Sequence, residues 1–179
     1  MRLKLSGTEC RMMNFKTHIN DRCRNQPDRY GWVDYDEEVF TVPLWNLSGQ
    51  LKGYQQYRWD SDKSKSKSKK NNPKEGRYFT YRKSEDLTVF GLEHLNDDKY
   101  LFVVEGVFEA IAAISLGFNC IVVLSNNPTY LKEWLICTGK EVVPLCQDDI
   151  AGRMLGKLNL SNKIILPNDL DECLNFKGE

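Results

Sequence analysis

The most informative segment of the 179-residue chain is KYLFVVEGVFEAIAAISLG, residues 99–117. It begins with a short apolar run, Lys99–Val104, which is typical of a buried parallel strand. Glu105 and Gly106 follow directly, and residues 107–117 then carry apolar side chains about one helical turn apart. The segment therefore predicts a strand, an acidic turn and a helix.

The same alternation continues towards the carboxyl terminus. Strand-like runs at 120–124, 141–146 and 163–166 are separated by helix-like segments at 127–137 and 150–158. Alternating strands and helices of this kind favour an α/β fold with a parallel sheet, right-handed crossovers and flanking helices. We expect this domain to occupy residues 99–179.

The residues before this domain read as a small β-rich N-terminal lobe, residues 1–98. Its predicted elements are a hairpin over 39–58, a strand over 77–81 and a short turn or helix over 88–95, after a polar segment of little periodicity over 1–30. Residues 60–77 contain a Lys/Ser repeat that buries nothing and repels itself, so the sequence predicts a flexible basic loop there.

Composition excludes several classes of protein. Hydrophobic residues make up 41% of the chain, which is enough for a packed core and rules out a wholly disordered protein. No stretch approaches the roughly 20 apolar residues of a membrane span, and the N-terminus lacks the apolar run of a signal peptide. We therefore expect a soluble, cytoplasmic protein without a membrane partner. No CxxC pair exists, and Cys10, His18 and Cys23 form only a weak alternative metal site.

A formal net charge of zero conceals an uneven distribution of charge. Residues 1–30 hold seven Lys/Arg and three Asp/Glu, and residues 60–77 hold the same numbers, so the remaining residues are acidic. Basic segments on an acidic body fit a polyanionic ligand held near metal-binding carboxylates. Solvated surface charge is the alternative interpretation.

Acidic residues follow the predicted strands, at the edge where ligands gather in open α/β sheets. They are Glu105, Glu109, Asp148, Asp149, Asp169 and Asp171. Carboxylates packed together repel one another unless cations neutralise them, and such ligands suit Mg²⁺ or Mn²⁺. The alternative is that each acid caps a helix, since Asp favours N-caps and first turns.

Two signatures resemble those of the Toprim domain, which bacterial-type primases, topoisomerases and OLD-type nucleases share. Residues 103–110, VVEGVFEA, resemble its first signature, a hydrophobic strand followed by Glu-Gly and a later acid. Residues 147–153, QDDIAGR, resemble its second, Asp-x-Asp-x-Ala-Gly. The likeness implies a Toprim (Rossmann-like) parallel sheet with flanking helices, preceded by a small primase-like lobe.

Within that family, the chain looks most like the catalytic core of bacterial and phage primases. Residues 166–174 resemble a primase segment with an Asp-x-Asp pair, residues 42–54 a primase strand pair, and residues 90–92 the segment just before Toprim. The chain departs from the family at two positions. Gln147 stands where the second signature has its first Asp, with Asp148 beside it, and Glu109 stands where the first signature has Asp.

The resemblance implies roles for the acidic residues. Glu105 and Asp149 would be catalytic, and the metal ligands for Mg²⁺ or Mn²⁺ would be drawn from the six acids named above. The expected activity is synthesis of short RNA primers on single-stranded DNA from NTPs in a bacterial or phage-infected cell, with a replicative helicase as a further partner. A Toprim nuclease and a non-catalytic nucleic-acid-binding protein with a degenerate metal site are the alternatives.

Basic and aromatic side chains are the candidates for contacts with nucleic acid. The candidate basic residues are Lys52, Arg58, Lys63, Lys65, Lys67, Lys69 and Lys70. Those in the loop would attract the phosphate backbone without sequence preference. Tyr54, Tyr57 and Trp59 either stack on single-stranded bases or, as the favoured interpretation for at least two of them, pack the core of the small lobe.

Overall fold

The structure of the chain is a computed structural model that describes residues 7–61, 76–83, 87–124, 128–159 and 161–167. These residues divide by compactness into two units. The first unit holds the described residues as far as Pro43 and those from 53 to 83. The second holds residues 44–52 and the described residues after 83.

This division differs from the expected boundary after residue 98. The tip of the hairpin, residues 44–52, groups with the second unit, where Trp45 pairs with Val89. The segment Thr88–Phe90 is a strand rather than a turn or helix, and it pairs with the strand Cys120–Val123. Backbone pairing therefore joins both segments to the second unit.

The first unit begins with helix α1, Gly7–Arg22, in a segment that the sequence did not mark as helical. Only Phe15 and Ile19 of its 16 residues are buried, so its apolar stripe is too sparse to show as a period. Phe15 packs on the rings of Tyr35 and Trp59. A short helix α2, Pro27–Tyr30, follows, with proline in its first turn.

Antiparallel strands form the rest of the first unit, although residues 44–46 and 51–52 of two of them belong to the second. They are β1 (Trp32–Asp34), β2 (Val39–Asn46), β3 (Leu51–Arg58) and β4 (Tyr78–Arg82). Strand order is β4-β3-β2, and β1 pairs with β2. The predicted hairpin is confirmed: the Asn46 side chain accepts hydrogen bonds from the backbone N–H groups of Ser48 and Gln50 and so closes the turn.

The surroundings of His18 on α1 predict a pH-dependent stability. Its Nε2 lies 2.9 Å from the Tyr57 hydroxyl, and the two rings stack. Burial lowers the pKa of His18 below its ordinary value of 6.5, and the positive charge of Arg22 adds to this, against a smaller opposing effect of Asp21 and together with a minor one of Arg77. Folding therefore favours the neutral imidazole.

We expect this histidine to destabilise the protein in acid. Above the unfolded-state pKa of His18 the imidazole is neutral in both states and the stability is complete. As the pH falls from there to the lower folded-state pKa, the unfolded chain binds a proton that the folded protein does not, and stability is lost. Urea unfolding of wild type and His18→Gln at about pH 7.5 and about pH 5.5 measures the effect. The variant should lose less stability between the two pH values, and an equal loss in both proteins would contradict the prediction.

The second unit contains a sheet whose central strands are parallel. Its strands are β5 (Thr88–Phe90), β6 (Tyr100–Val104), β7 (Cys120–Val123), β8 (Glu141–Gln147) and β9 (Ile164–Leu166). Their order is β5-β7-β6-β8-β9. The pairs β6/β7, β6/β8 and β8/β9 are parallel, and β5 is antiparallel to β7. The predicted parallel sheet is thus confirmed for β6 to β9.

The helices of this unit lie where the sequence predicts them. Helix α3 is Val107–Ser115 and is buried from Val107 to Ile114, which explains its strongly apolar sequence. Helix α4, Lys132–Cys137, follows a 3₁₀ turn, and helix α5, Ile150–Leu155, runs into another. Strands and flanking helices together give the expected α/β fold class.

Five cysteines lie in the described part of the chain, and all are free thiols. Cys10 and Cys137 are exposed, whereas Cys23, Cys120 and Cys146 are buried. Burial raises the pKa of the Cys23 thiol to about 12 and also raises those of the other two buried thiols. A site built from Cys10, His18 and Cys23 does not form, since no cluster of three or more metal-ligating side chains occurs within the described ranges.

Within the described ranges, none of the helices has the length and apolar character that a bilayer-spanning helix needs.

Candidate functional site

The candidate site lies at the carboxyl ends of β6 and β8. These strands are parallel neighbours, so their carboxyl ends meet at the same edge of the sheet. Glu105 and Gly106 connect β6 to α3, and Asp148 and Asp149 connect β8 to α5. Side chains predicted from distant parts of the sequence therefore follow adjacent strands.

Asp149 is the N-cap of α5. Its Oδ1 accepts a hydrogen bond of 2.7 Å from the backbone N–H of Gly152, which fixes the start of the helix. Gly152 in turn lies against the backbone of Gln147, so closely that an added Cβ would overlap the Gln147 carbonyl oxygen. The glycine of the second signature thus has a steric reason in this chain.

Glu109 is almost fully buried, with 7% of its surface exposed. Its Oε2 accepts hydrogen bonds from the backbone N–H groups of Glu105, at 3.2 Å, and Gly106, at 2.9 Å. Its Oε1 accepts a hydrogen bond of 3.2 Å from Nε2 of Gln147. Both departures from the family pattern are therefore in direct contact with each other.

The remaining predicted ligands are more open to solvent. Glu105 is half-buried, and its negative charge raises the pKa of the neighbouring Cys146 thiol after the larger effect of burial. Asp148 and Asp149 are exposed. The predicted ligands Asp169 and Asp171 lie outside the described residues.

The chemistry of these donors fits a single, largely hydrated Mg²⁺ or Mn²⁺. Residues 7–167, apart from the gaps named above, contain no cluster of three or more metal-ligating side chains. Mg²⁺ is commonly held by one or two carboxylates together with water and substrate phosphates, so an all-protein cage is not required. Glu105, Asp148 and Asp149 can supply those carboxylates, whereas both oxygens of Glu109 already accept hydrogen bonds from N–H groups.

A second candidate region is a cleft of about 650 Å³ on the sheet of the first unit. We name it the sheet cleft. It is lined by Trp32, Asp34, Glu37, Val39, Thr41, Tyr54, Gln56, Arg58 and Phe79. Aromatic rings, two carboxylates and one guanidinium group thus face the same space.

Arg58 gives the sheet cleft a guanidinium group. Its Nη2 donates to Oε1 of Gln56 at 3.1 Å. Its Nη1 is buried and has no hydrogen-bond acceptor in the part of the chain that the structure describes. A buried N–H without an acceptor is costly, but burial also closes this atom to a ligand, so Arg58 contributes the charge of its guanidinium group to the cleft.

The three aromatic candidates divide between packing and the cleft. Tyr57 is buried against His18, and Trp59 packs on Phe15 of α1 and donates a hydrogen bond from Nε1 to Glu38. The interpretation that at least two of the three pack the core is therefore confirmed. Tyr54 instead lines the sheet cleft.

The remaining candidates for contact with nucleic acid are the predicted lysines and one tryptophan. Lys52, at the start of β3, is half-buried, and the predicted loop lysines Lys63, Lys65, Lys67, Lys69 and Lys70 lie outside the described residues. Trp32, which the sequence did not indicate as a candidate, lines the sheet cleft with 53% of its surface exposed. A tryptophan in a short β-rich run after Tyr30-Gly31 is the signal that could have indicated it.

Comparison with known proteins gives matches among solved structures. No protein-family profile and no curated protein sequence matches the chain. A DnaG primase catalytic domain bound to single-stranded DNA matches with a TM-score of 0.61 and 14% identity, over 99% of this chain and 72% of that one. An Aquifex aeolicus primase fragment with zinc-binding and RNA polymerase domains matches with a TM-score of 0.55 and 24% identity, over 74% and 35%. The primase fragment of the bacteriophage T7 primase–helicase protein matches at 0.54 and 13%, over 75% and 57%.

These similarities concern the fold. The chain spans 49% of one DnaG catalytic core and 35% of the Aquifex fragment, so it corresponds to a part of those proteins. Its α/β fold, with a mixed sheet and flanking helices, matches that of primase catalytic cores, of which Toprim is a domain. The expected fold class is confirmed, and the activity has to be argued from the site.

Proposed function

We propose that this chain is a primase-like nucleotidyltransferase that joins ribonucleotides on a single-stranded DNA template. The observation that carries the proposal is that Glu105 and Asp149 follow two adjacent parallel strands in a fold shared with primase catalytic cores. Acids in this position favour the chemistry of phosphoryl groups. One of the structural neighbours is a primase bound to single-stranded DNA, which supports a template of that kind.

The acidic residues have distinct proposed roles. One or two of the carboxylates of Glu105, Asp148 and Asp149 would hold one Mg²⁺ or Mn²⁺ together with water, and Asp169 and Asp171 are further proposed ligands. Such an ion would neutralise charge on the nucleotide phosphates during nucleotidyl transfer. Glu105, half-buried beside the sheet, can alternatively accept the proton of the attacking 3′-hydroxyl. The proposal excludes Glu109 from these roles, because N–H groups occupy its oxygens.

The sheet cleft is the proposed contact for single-stranded nucleic acid in the first unit. The guanidinium group of Arg58 lines the cleft and would attract a phosphate. Trp32 and Tyr54 also line it, and unpaired bases would stack on their rings. Lys52 and the loop lysines would add salt-dependent attraction for the backbone.

A non-catalytic nucleic-acid-binding protein is the second candidate. The hydrogen bond between Gln147 and Glu109 favours it, because an amide stands where the family signature has a carboxylate. A Toprim nuclease would use the same acids as a primase and is separated from it only by its products. A replicative helicase remains the proposed partner, and one structural neighbour is part of a primase–helicase protein.

Primer synthesis tests the proposal directly. The protein is incubated with single-stranded DNA, labelled NTPs and either Mg²⁺ or Mn²⁺, with and without a replicative helicase. We expect short RNA products that require both template and NTPs. Parallel reactions without NTPs, on plasmid and on labelled single strands, report nicking and cleavage.

Each outcome selects one function. Absence of product with both metals and with helicase, while single-stranded DNA is still bound in a fluorescence-anisotropy titration, would overturn the enzymatic proposal in favour of binding alone. Metal-dependent nicking without primer synthesis would assign the nuclease activity.

A further inference from the structure

We infer that Gln147 and Glu109 form a hydrogen-bonded clasp that joins the end of β8 to the first turn of α3 without a metal ion. By occupying Glu109, the clasp withholds this carboxylate from any ion bound by Glu105, Asp148 and Asp149. The inference deepens the proposed function, on which it rests for its meaning, because it concerns which residues hold the ion. Its test does not require catalysis.

Hydrogen bonds within the protein satisfy the carboxylate of Glu109. Three N–H groups donate to its two oxygens: those of Glu105, Gly106 and the Gln147 side chain, at 2.9 to 3.2 Å. An ionised carboxylate with only 7% of its surface exposed needs such donors or a cation to offset its loss of hydration. Here the donors belong to the protein itself.

The side-chain amide of Gln147 has a defined orientation in this contact. An ionised carboxylate can only accept hydrogen bonds, so the NH₂ group of Gln147 has to face Glu109. An N–H group carries partial positive charge towards its acceptor. A cation placed between the two side chains would therefore meet a positive dipole on one side, and the clasp and an ion exclude each other at this point.

An aspartate at position 147 would replace this hydrogen bond by a pair of carboxylates. Two carboxylates would then face each other where one amide and one carboxylate face each other now. Like charges at close range raise the pKa of one partner or recruit a cation. Gln147 avoids this repulsion, so the contact between β8 and α3 persists when no divalent ion is present.

The clasp also positions Glu105. Because Glu109 accepts a hydrogen bond from the backbone N–H of Glu105, it holds the turn in which this proposed catalytic side chain begins. Glu109 and Gln147 are therefore positioning residues, and they act on the proposed ion through Glu105.

Thermal unfolding with and without Mg²⁺ tests the clasp. The wild-type midpoint should move by less than about 2 °C between excess chelator and millimolar Mg²⁺. Gln147→Asp should lower the midpoint in chelator by roughly 5–10 °C, and Mg²⁺ should restore most of that loss. Gln50→Asp, the same exchange on the exposed hairpin turn, controls for the general effect of an added carboxylate.

Mn²⁺ binding, measured by water-proton relaxation, separates a clasp from a ligand. We expect Glu109→Gln to lower the unfolding midpoint while changing the Mn²⁺ affinity by less than about 3-fold, because the amide oxygen of glutamine can still accept the hydrogen bond from the Glu105 N–H and keep this turn in place. Gln147→Asp should strengthen Mn²⁺ binding by about 10-fold or more, since it places a second carboxylate opposite that of Glu109. Even if wild type binds too weakly to measure, the gain in Gln147→Asp remains measurable.

Two results would overturn the inference. One is a wild-type midpoint that rises with Mg²⁺ as strongly as that of Gln147→Asp, with the rise abolished in Glu109→Gln. The other is a Gln147→Asp protein that neither loses stability in chelator nor gains Mn²⁺ affinity. Failure of primer synthesis would instead count against the proposed function and leave the clasp intact.

Discussion

Replacing Glu105 by glutamine is expected to reduce nucleotidyl transfer by about 10²- to 10⁴-fold. The exchange removes the charge from the acid that directly follows β6 but keeps its size. The backbone N–H of residue 105, which donates to Glu109, is unaffected. We therefore expect the unfolding midpoint to change by less than about 5 °C, so that lost activity reflects chemistry rather than unfolding.

The measurement is the rate of primer formation at saturating NTP for wild type and Glu105→Gln. Glu133→Gln is the matched control, because it makes the same exchange at an exposed position on α4. The control should retain full activity. A Glu105→Gln protein with more than about a tenth of the wild-type rate would show that this carboxylate neither binds the ion nor moves the proton.

Alanine at position 152 is expected to destabilise the second unit by about 2–4 kcal/mol. Its Cβ would overlap the Gln147 carbonyl oxygen and lie 2.6 Å from the Gln147 backbone nitrogen. Gln147 cannot move without disturbing the end of β8, and Gly152 cannot move without disturbing the hydrogen bond from its N–H to the N-cap Asp149. Strain at this one glycine therefore reaches both Asp149 and Gln147.

Gly156, four residues later, provides the control for this prediction. An added Cβ there would meet the flexible Lys163 side chain at 3.2 Å and the Cys146 sulfur at 3.4 Å, so Gly156→Ala should cost less than about 1 kcal/mol. Urea unfolding followed by circular dichroism measures both variants. Similar losses in the two would mean that the approach of Gly152 to Gln147 does not determine stability.

The parallel sheet was predictable because its strands are continuous apolar runs. Val103, Val104, Ile121 and Val122 are completely buried, and a strand covered on both faces needs no alternation of polar residues. Acids placed directly after such runs indicated the candidate site at the carboxyl ends of β6 and β8. Continuous apolar runs of this kind can be recognised in a single sequence.

The first unit was less predictable, for reasons that its residues make clear. Helix α1 has two buried side chains, Phe15 and Ile19, and its remaining polar surface hides the helical period. Strand β1 contains three residues, too few for an alternation to be recognised, and the same holds for β5 in the second unit. Their pairing partners, which lie elsewhere in the chain, determine their structure.

The sequence predicted which types of residue line the candidate site, but it did not predict which of these side chains contact each other. The sequence indicated Glu109 as a metal ligand and Gln147 as a departure from the family pattern, without showing that the two meet. A side-chain contact between residues 38 positions apart depends on the register of β6 and β8. The sheet cleft was missed for the same reason, since Trp32 and Arg58 come together only through strand pairing.

The contrast between exposed and buried thiols has a practical consequence. Maleimide dyes react with the thiolate of an accessible cysteine, and burial with a raised pKa protects Cys23, Cys120 and Cys146. Native protein in which Cys173 has been changed to serine should therefore couple dye at Cys10 and Cys137, one in each compact unit. A fluorescent reporter can thus be attached to either unit without engineering a new cysteine.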